Sequence, residues 1–307
     1  MEVIRRPSHG DKLKALLINN KLPAADRSRV ESAIKKYKEW IERLNSAKGT
    51  GKELLREFVD ALNDYKKSLE LELIFDATDD FLYRQKGQLK LDNTVLEEFM
   101  PYLFDSRLIP GLNRLKNISC GPHSSFAGLS FDSPFISLKA GGVFLKLKDQ
   151  DFSVSKAHHI TITDDPRNDD KYESKFFVSH FASEIKTNLD KTMFQEASQT
   201  SAELKRAVPG SRYVLLCEYL DMTPINTKLT SIDEVIVLRK AKRLASNVRA
   251  DFSTSEGRVR ARAEYEKFLN QNPLHIECFE RFLWHLNELF PEKEEDAEDI
   301  VLGRGYF

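Results

Sequence analysis

Residues 176–197 read FFVSHFASEIKTNLDKTMFQEA, a strand pattern that runs straight into a helix pattern. Successive side chains on a strand point to opposite faces, so Glu184 and Lys186 project together while Ile185 points the other way. An acid then sits beside an amine. Thr187-Asn188-Leu189-Asp190 breaks the alternation with cap-type residues, and residues 191–207 read as a helix, so Glu184-Ile185-Lys186 is expected to end its strand. The triplet alone also fits the end of any half-exposed strand. Its meaning depends on what surrounds it.

Upstream, residues 152–163 (FSVSKAHHITIT) form a second strand pattern, and the polar stretch 164–174 (DDPRNDDKYES) is suited to join the two as a hairpin. A hairpin centred near residue 169 sets Asp151 opposite Lys186. Asp164 and Asp165 would then lie at the tip, roughly 30 Å away at about 3.3 Å per residue, too far to share a site. Val143, Leu145 and Leu147 alternate with Phe144, Lys146 and Lys148 in a strand that leads to Asp151. Beyond the helix, Pro209-Gly210 precedes the apolar run 213–220 (YVLLCEYL), which reads as a buried strand. The order helix, strand, hairpin, helix, strand predicts an α/β (α+β) fold with a mixed sheet flanked by helices.

Two carboxylates and a lysine gathered at a strand end suit hydrolysis of a phosphodiester. Asp151 and Glu184, with the Ile185 carbonyl, offer the oxygen ligands that Mg²⁺ prefers. Such a metal polarises the scissile phosphate and lowers the pKa of a bound water. Lys186 is placed to orient or deprotonate that water, or to offset charge on the phosphorane.

Asp151 followed by Glu184-Ile185-Lys186 resembles the signature of the PD-(D/E)XK nucleases. The wider wording, Lys148-Asp149-Gln150-Asp151-Phe152 and then EIKTNLDKTMFQEA, resembles type II restriction endonucleases of the BbvCI-like group, best over residues 143–250. The resemblance implies a restriction-endonuclease core, Mg²⁺ as cofactor and site-specific cleavage of double-stranded DNA to leave 5′-phosphates. It also implies a second catalytic site, in a homodimer or a related second subunit, because each site cuts one strand. The chain departs from the family pattern at Gln150, where a proline is usual, which leaves Asp149 as an alternative ligand to Asp151. Two other readings are a structure-specific repair or recombination nuclease and a non-catalytic DNA-binding subunit. The presence of Asp151, Glu184 and Lys186 together argues against the second. No helicase or ATPase motif supports the first.

The chain has 307 residues, enough for a large core, and 47 basic against 48 acidic side chains. With no overall positive charge, binding to nucleic acid requires basic residues concentrated on one face. Cys120, Cys217 and Cys278 are widely spaced and follow no zinc pattern, so buried free thiols are expected. No apolar run approaches the ~20 residues that span a bilayer, and the start MEVIRRPSHGDKL lacks a signal-peptide core, so the expected location is the cytoplasm without membrane contact.

Residues 1–115 read as a helical region, 116–250 as the catalytic core and 251–307 as a C-terminal helical region packed on it. Apolar stripes predict helices over 26–44 and 54–69, and Lys48-Gly-Thr-Gly-Lys52 between them is a turn, since it lacks the spacing of a phosphate loop. A third helix over 93–104 carries Glu97 and Glu98. These are expected on a solvated face, although in some nucleases of the superfamily a helical glutamate joins the metal site. Residues 111–134, rich in Gly, Ser, Asn and Pro, read as a loop. Residues 231–247 read as a helix bearing Arg239, Lys240, Lys242 and Arg243, followed by Arg249, Arg258, Arg260 and Arg262. Lys240, Arg243 and Arg249 are the candidate DNA phosphate contacts. His158, His159 and His180 read as ordinary sheet residues. A final helix over 275–290 buries Ile276, Phe279, Leu283, Leu286 and Phe290, stops at Pro291 and leaves an acidic tail.

Overall fold

The structure is a computed structural model that describes residues 1–131, 143–163, 167, 171–293 and 297–305. Helices α1 (Ser8–Leu17), α2 (Arg27–Ser46), α3 (Gly51–Ser68), α4 (Asp80–Gln88) and α5 (Leu91–Phe99) lie in the chain between the first, two-residue strand of the sheet and the rest of it. The strands are β1 (Glu2–Val3), β2 (Ile118–Phe131), β3 (Val143–Ile162), β4 (Tyr172–Leu189), β5 (Arg212–Leu220) and β6 (Glu234–Lys242), with α6 (Lys191–Ala207) between β4 and β5. Helices α7 (Ser246–Ala250), α8 (Ser255–Gln271), α9 (Ile276–Leu289) and α10 (Ala297–Arg304) follow. The sheet runs in chain order, β1-β2-β3-β4-β5-β6. It is mixed: β2, β3 and β4 are antiparallel neighbours, whereas β5 and β6 join parallel to β4.

Alternation along the central strands serves two helical layers. Phe152, Val154, Phe181, Ile185, Val214 and Leu216 face the core shared with the N-terminal helices and α9. Phe282 of α9 seats its ring 5.6 Å from Phe152 and 5.3 Å from Phe181. Fully burying each such ring stabilises by about 1.5–3 kcal/mol. On the other face, Ala182, Tyr213, Leu215 and Cys217 pack with Phe194, Ala197 and Leu204 of α6. Ile185 therefore anchors β4 to one layer, and its neighbours Glu184 and Lys186 turn toward the other. All three cysteines are buried and free, as their spacing led us to expect.

Four expectations require correction. The Gly/Ser-rich stretch 111–134 is not a loop over its described part: after a short turn it becomes β2. Its glycines serve the strand. Gly121 (φ 138°) lies where a Cβ would stand 2.7 Å from the Ile4 carbonyl oxygen, and register shifts fall at Gly121/His123 and Phe126/Gly128. Glycine there marks bulges and the close passage of the N-terminal segment.

Residues 234–242 are β6 rather than a helix. The run Val235-Ile236-Val237 is β-branched and pairs parallel with β5. Three residues, Leu238 to Lys240, stand against Glu218 alone at the bulge between Cys217/Tyr219, and Lys240 takes φ 49° there. That bulge turns Arg239 inward, where it is 3% exposed.

β4 runs on to Leu189 because its parallel pairing with β5 continues through Leu189↔Leu220. Of the cap-type residues only Asp190 acts as one, accepting from the Met193 N–H at 2.9 Å. The hairpin register also differs from expectation by two residues: Phe152 pairs with Ser183, and a shift lies between Val154 and Ser155. Asp151 thus falls beside Glu184 rather than Lys186. Asp164 and Asp165, expected at the tip, lie outside the described residues.

The curl of the sheet has a polar lining. β2 meets β4 directly at Ser125↔Phe177, and a buried hydroxyl chain links Ser153 to Ser155 (2.9 Å), Ser155 to Ser179 (2.7 Å) and Ser179 to Ser125 (2.5 Å). His123 joins it through Ser153 and Ser119, each at 2.9 Å. Small hydroxyl side chains fit the inside of a sharp bend and satisfy one another there.

Candidate active site

Strand β4 supplies Glu184, Ile185 and Lys186, and β3 supplies Asp151 from the adjoining edge. The Ile185 amide donates to Asp151 Oδ2 at 2.8 Å, a link from the β4 backbone to the β3 side chain. Lys186 Nζ stands 2.6 Å from Glu184 Oε1, and the Tyr213 hydroxyl donates to Glu184 Oε2 at 2.9 Å. The three residues singled out from sequence are thus gathered on one face. Tyr213 was not singled out, because its run read only as buried strand.

Burial sets the electrostatics. It pushes the Asp151 carboxyl up to about 6, against the Ile185 N–H, and the charges of Glu97 and Glu184 push the same way. Burial opposes the charge on Lys186, yet the hydrogen bond and charge of Glu184, with Asp151 and Glu196, raise it above the usual lysine value. Lys186 is therefore an ammonium at neutral pH in this state, a donor and a positive charge. Burial, then Glu184, holds the Tyr213 phenol well above its ordinary value, so it stays protonated.

Among the described residues no group of three or more His, Cys, Asp or Glu side chains is placed to hold a metal ion. Two carboxylates and a backbone carbonyl nevertheless suit Mg²⁺, which commonly binds through one or two carboxylates and keeps several waters. A half-buried aspartate whose charge is opposed by two other acids is a fitting donor for a divalent cation.

Asp149 lies apart: it is exposed, and its carboxylate takes the Ser124 hydroxyl on β2. The two helical glutamates divide. Glu97 is half-buried, accepts from Asn93 Nδ2 at 2.5 Å and lies near enough to act on Asp151. Glu98 is buried, accepting from the His9 N–H at 2.9 Å and the Tyr37 hydroxyl at 2.5 Å, so the expected solvated face does not hold for it.

The basic segment is largely engaged. Arg239 Nε bonds Glu218 Oε2 and its Nη2 bonds Glu70 Oε1, both at 2.9 Å, in a buried network that also holds Lys66 at 2.5 Å from Glu218. Arg258 is fully buried and donates to the carbonyls of Phe75, Ala77, Asp79 and Phe252. Arg262 pairs with Asp76 at 2.5 Å. Of the three candidate phosphate contacts, Lys240 lies 3.2 Å from Glu277, Arg243 lies 2.9 Å from Asp221, and Arg249 donates to the Leu244 carbonyl at 2.9 Å. Nothing in the sequence marked Glu70 and Glu218 as the partners of Arg239, or Lys66 as a second cation on Glu218, since these contacts join side chains from separate elements. His158 and His159 are exposed on β3 and His180 is half-buried on β4, away from any cluster of ligands among the described residues.

The model of the Bpu10I restriction endonuclease family matches residues 88–307. The chain belongs to this family. As a Bpu10I-family protein it is a type II site-specific endonuclease, in agreement with the resemblance seen in residues 143–250. Among solved structures, the native BbvCI A2B2 tetramer is similar, with a TM-score of 0.58 at 20% identity over 87% of this chain and 98% of the other. That likeness shows the shared mixed α/β fold of the Bpu10I-family chain. No match was found among curated proteins. No helix among the described residues is long and apolar enough to cross a membrane.

Proposed function

We propose that the chain hydrolyses phosphodiester bonds of double-stranded DNA in a Mg²⁺-dependent reaction that leaves 5′-phosphates, with residues 116–250 as its catalytic core. The observation that carries this reading is the meeting of Asp151, Glu184 and Lys186 at the 2.8 Å Ile185–Asp151 bond. Asp151, Glu184 and the Ile185 carbonyl would hold the metal. Bound there, Mg²⁺ supplies a polarised phosphate and an acidified water. Lys186, held by Glu184, orients the attacking water and offsets charge on the phosphorane. Proton acceptance by Lys186 is the less favoured role, because its neighbours raise its proton affinity.

One such site cuts one strand. Cleavage of a duplex therefore calls for a homodimer or a related second subunit, a reading favoured by the A2B2 composition of the similar BbvCI structure. Lys240, Arg243 and Arg249 contact DNA phosphates by exchanging their present partners for the backbone. The protein acts in the cytoplasm, where its thiols stay reduced.

The test is incubation of the purified chain with a sequenced plasmid and Mg²⁺ beside an EDTA control, with the ends mapped. Discrete double-strand breaks bearing 5′-phosphates are expected from a homodimer, and discrete nicks from one half of a two-subunit enzyme. Cleavage undiminished by EDTA would refute the metal-dependent reading.

A further inference from the structure

We propose that Tyr213 is a positioning residue that holds the Glu184 carboxylate in the orientation that pairs it with Lys186. This deepens the reading of Asp151, Glu184 and Lys186 as a hydrolytic site and rests on it. Glu184 is gripped at both oxygens: Lys186 takes Oε1 at 2.6 Å, and Tyr213 donates to Oε2 at 2.9 Å. Lysine is a long, flexible partner. Held by it alone, the carboxylate would turn about its terminal bond.

Tyr213 is suited to stop that rotation because it is itself immobile. It is 1% exposed, and its ring packs in the apolar layer between the sheet and α6. On β5 it pairs with Ala182, two residues before Glu184, so the ring reaches along the strand and only its hydroxyl meets the acid. Asp233 clamps its backbone from behind: Asp233 Oδ2 accepts from the Tyr213 N–H at 2.6 Å, and the Tyr213 carbonyl accepts from the Asp233 N–H at 2.9 Å. Lys205 of α6 then holds Asp233 Oδ1 at 2.7 Å. The chain of contacts runs from α6 through Asp233 and Tyr213 to Glu184. A group that fixes a ligand's orientation commonly matters 10- to 100-fold for metal affinity or activity.

A merely structural tyrosine would affect stability and nothing else. The experiment therefore follows Mn²⁺ binding to the intact chain, by the electron paramagnetic resonance signal of the free ion, together with the thermal midpoint. Tyr213→Phe, Glu184→Ala and the packing control Leu204→Ala are compared with wild type. Tyr213→Phe is expected to weaken Mn²⁺ binding about 10- to 100-fold, and Leu204→Ala to lower the midpoint without altering binding. Loss of binding in Glu184→Ala with unchanged binding in Tyr213→Phe overturns the proposal and spares the hydrolytic reading. Equal weakening by Leu204→Ala also overturns it. Undiminished binding in Glu184→Ala, or none in wild type, removes the reading and the proposal together.

Should Tyr213→Phe destabilise more than Leu204→Ala, Asp233→Asn supplies a second measure, because it loosens the same residue and keeps its hydroxyl. A smaller loss of Mn²⁺ affinity supports the proposal, and unaltered affinity overturns it.

Discussion

Asp151 and Ile185 belong to different strands, and the amide of one donates to the carboxylate of the other at 2.8 Å. The bond lies just beyond the Phe152↔Ser183 pair, so a backbone donor that would otherwise serve the sheet is given to a side chain. That fixes the Asp151 carboxylate of β3 against the β4 backbone, one residue from Glu184 and one from Lys186. Asp149, two residues earlier, has Ser124 instead.

Alanine at Asp151 or at Glu184 is expected to lower the cleavage rate about a thousandfold or more, since loss of a metal's charge stabilisation removes several kcal/mol at the transition state. DNA binding, followed by gel shift in Ca²⁺, should persist. Asp149→Ala should cut at close to the wild-type rate, and a dead Asp149→Ala beside an active Asp151→Ala would move the ligand role to Asp149.

Stability should fall with acidification through His9. Burial, then the charge of Lys66, lowers this imidazole from 6.5 to about 3, with Tyr65 at 2.6 Å from Nε2. The folded state keeps His9 neutral while the unfolded state takes up a proton below 6.5, so the contribution is present above that pH and lost as pH falls toward 3. Between pH 6.5 and 5 the loss from this residue is about 2 kcal/mol. Urea unfolding at both pH values should show that difference shrinking in His9→Gln.

Arg239→Ala should act on folding rather than on DNA. It removes the guanidinium from two buried acids, leaving Glu218 to Lys66 and Glu70 to the Tyr265 hydroxyl, a loss of roughly 3–5 kcal/mol. Lys240→Ala, beside it on the exposed side of the bulge, should cost less than about 1 kcal/mol. If Lys240 meets a phosphate, its removal lowers the salt slope of DNA binding by about one. Unfolding curves and salt titrations of the two variants separate the roles.

Phe282→Ala tests the link between α9 and strands β3 and β4. Its ring packs against both Phe152, one residue from Asp151, and Phe181, three residues from Glu184. A loss of about 3–5 kcal/mol is expected from the cavity, read as a lower urea midpoint with unchanged slope.

Much of this molecule was legible in the chain because the signals were local. The strand into helix at 172–207, the apolar run of β5 and the helices α2, α3 and α9 follow from alternation or from apolar spacing. Asp151, Glu184 and Lys186 could be brought together because a hairpin ties their positions by arithmetic, even though the strands pair about Ile162↔Tyr172, a centre two residues earlier than the expected one. Tertiary context overrode local signals elsewhere. Glycine and serine signified bulges and a polar bend in β2 rather than a loop. Charged residues in β6 imitated a helix, because Arg239 finds its counter-charges on β5 and on the short π-helical turn Leu69–Phe75. Tyr213 was invisible as a partner of Glu184, since its bond crosses between strands separated by α6.

The buried pairing of Arg239 with Glu70 has a consequence for anyone who would engineer this enzyme. It ties β6 to a turn that lies 169 positions away along the chain. A minimal nuclease trimmed to the sheet and α6 would keep Asp151, Glu184 and Lys186 and the Arg239–Glu218 pair, yet lose Glu70 and Lys66, which complete that buried network from the helical region. Shuffling cleavage units between relatives therefore calls for moving the helical region with the sheet, or for replacing Arg239, Glu218, Glu70 and Lys66 together by apolar side chains of like volume.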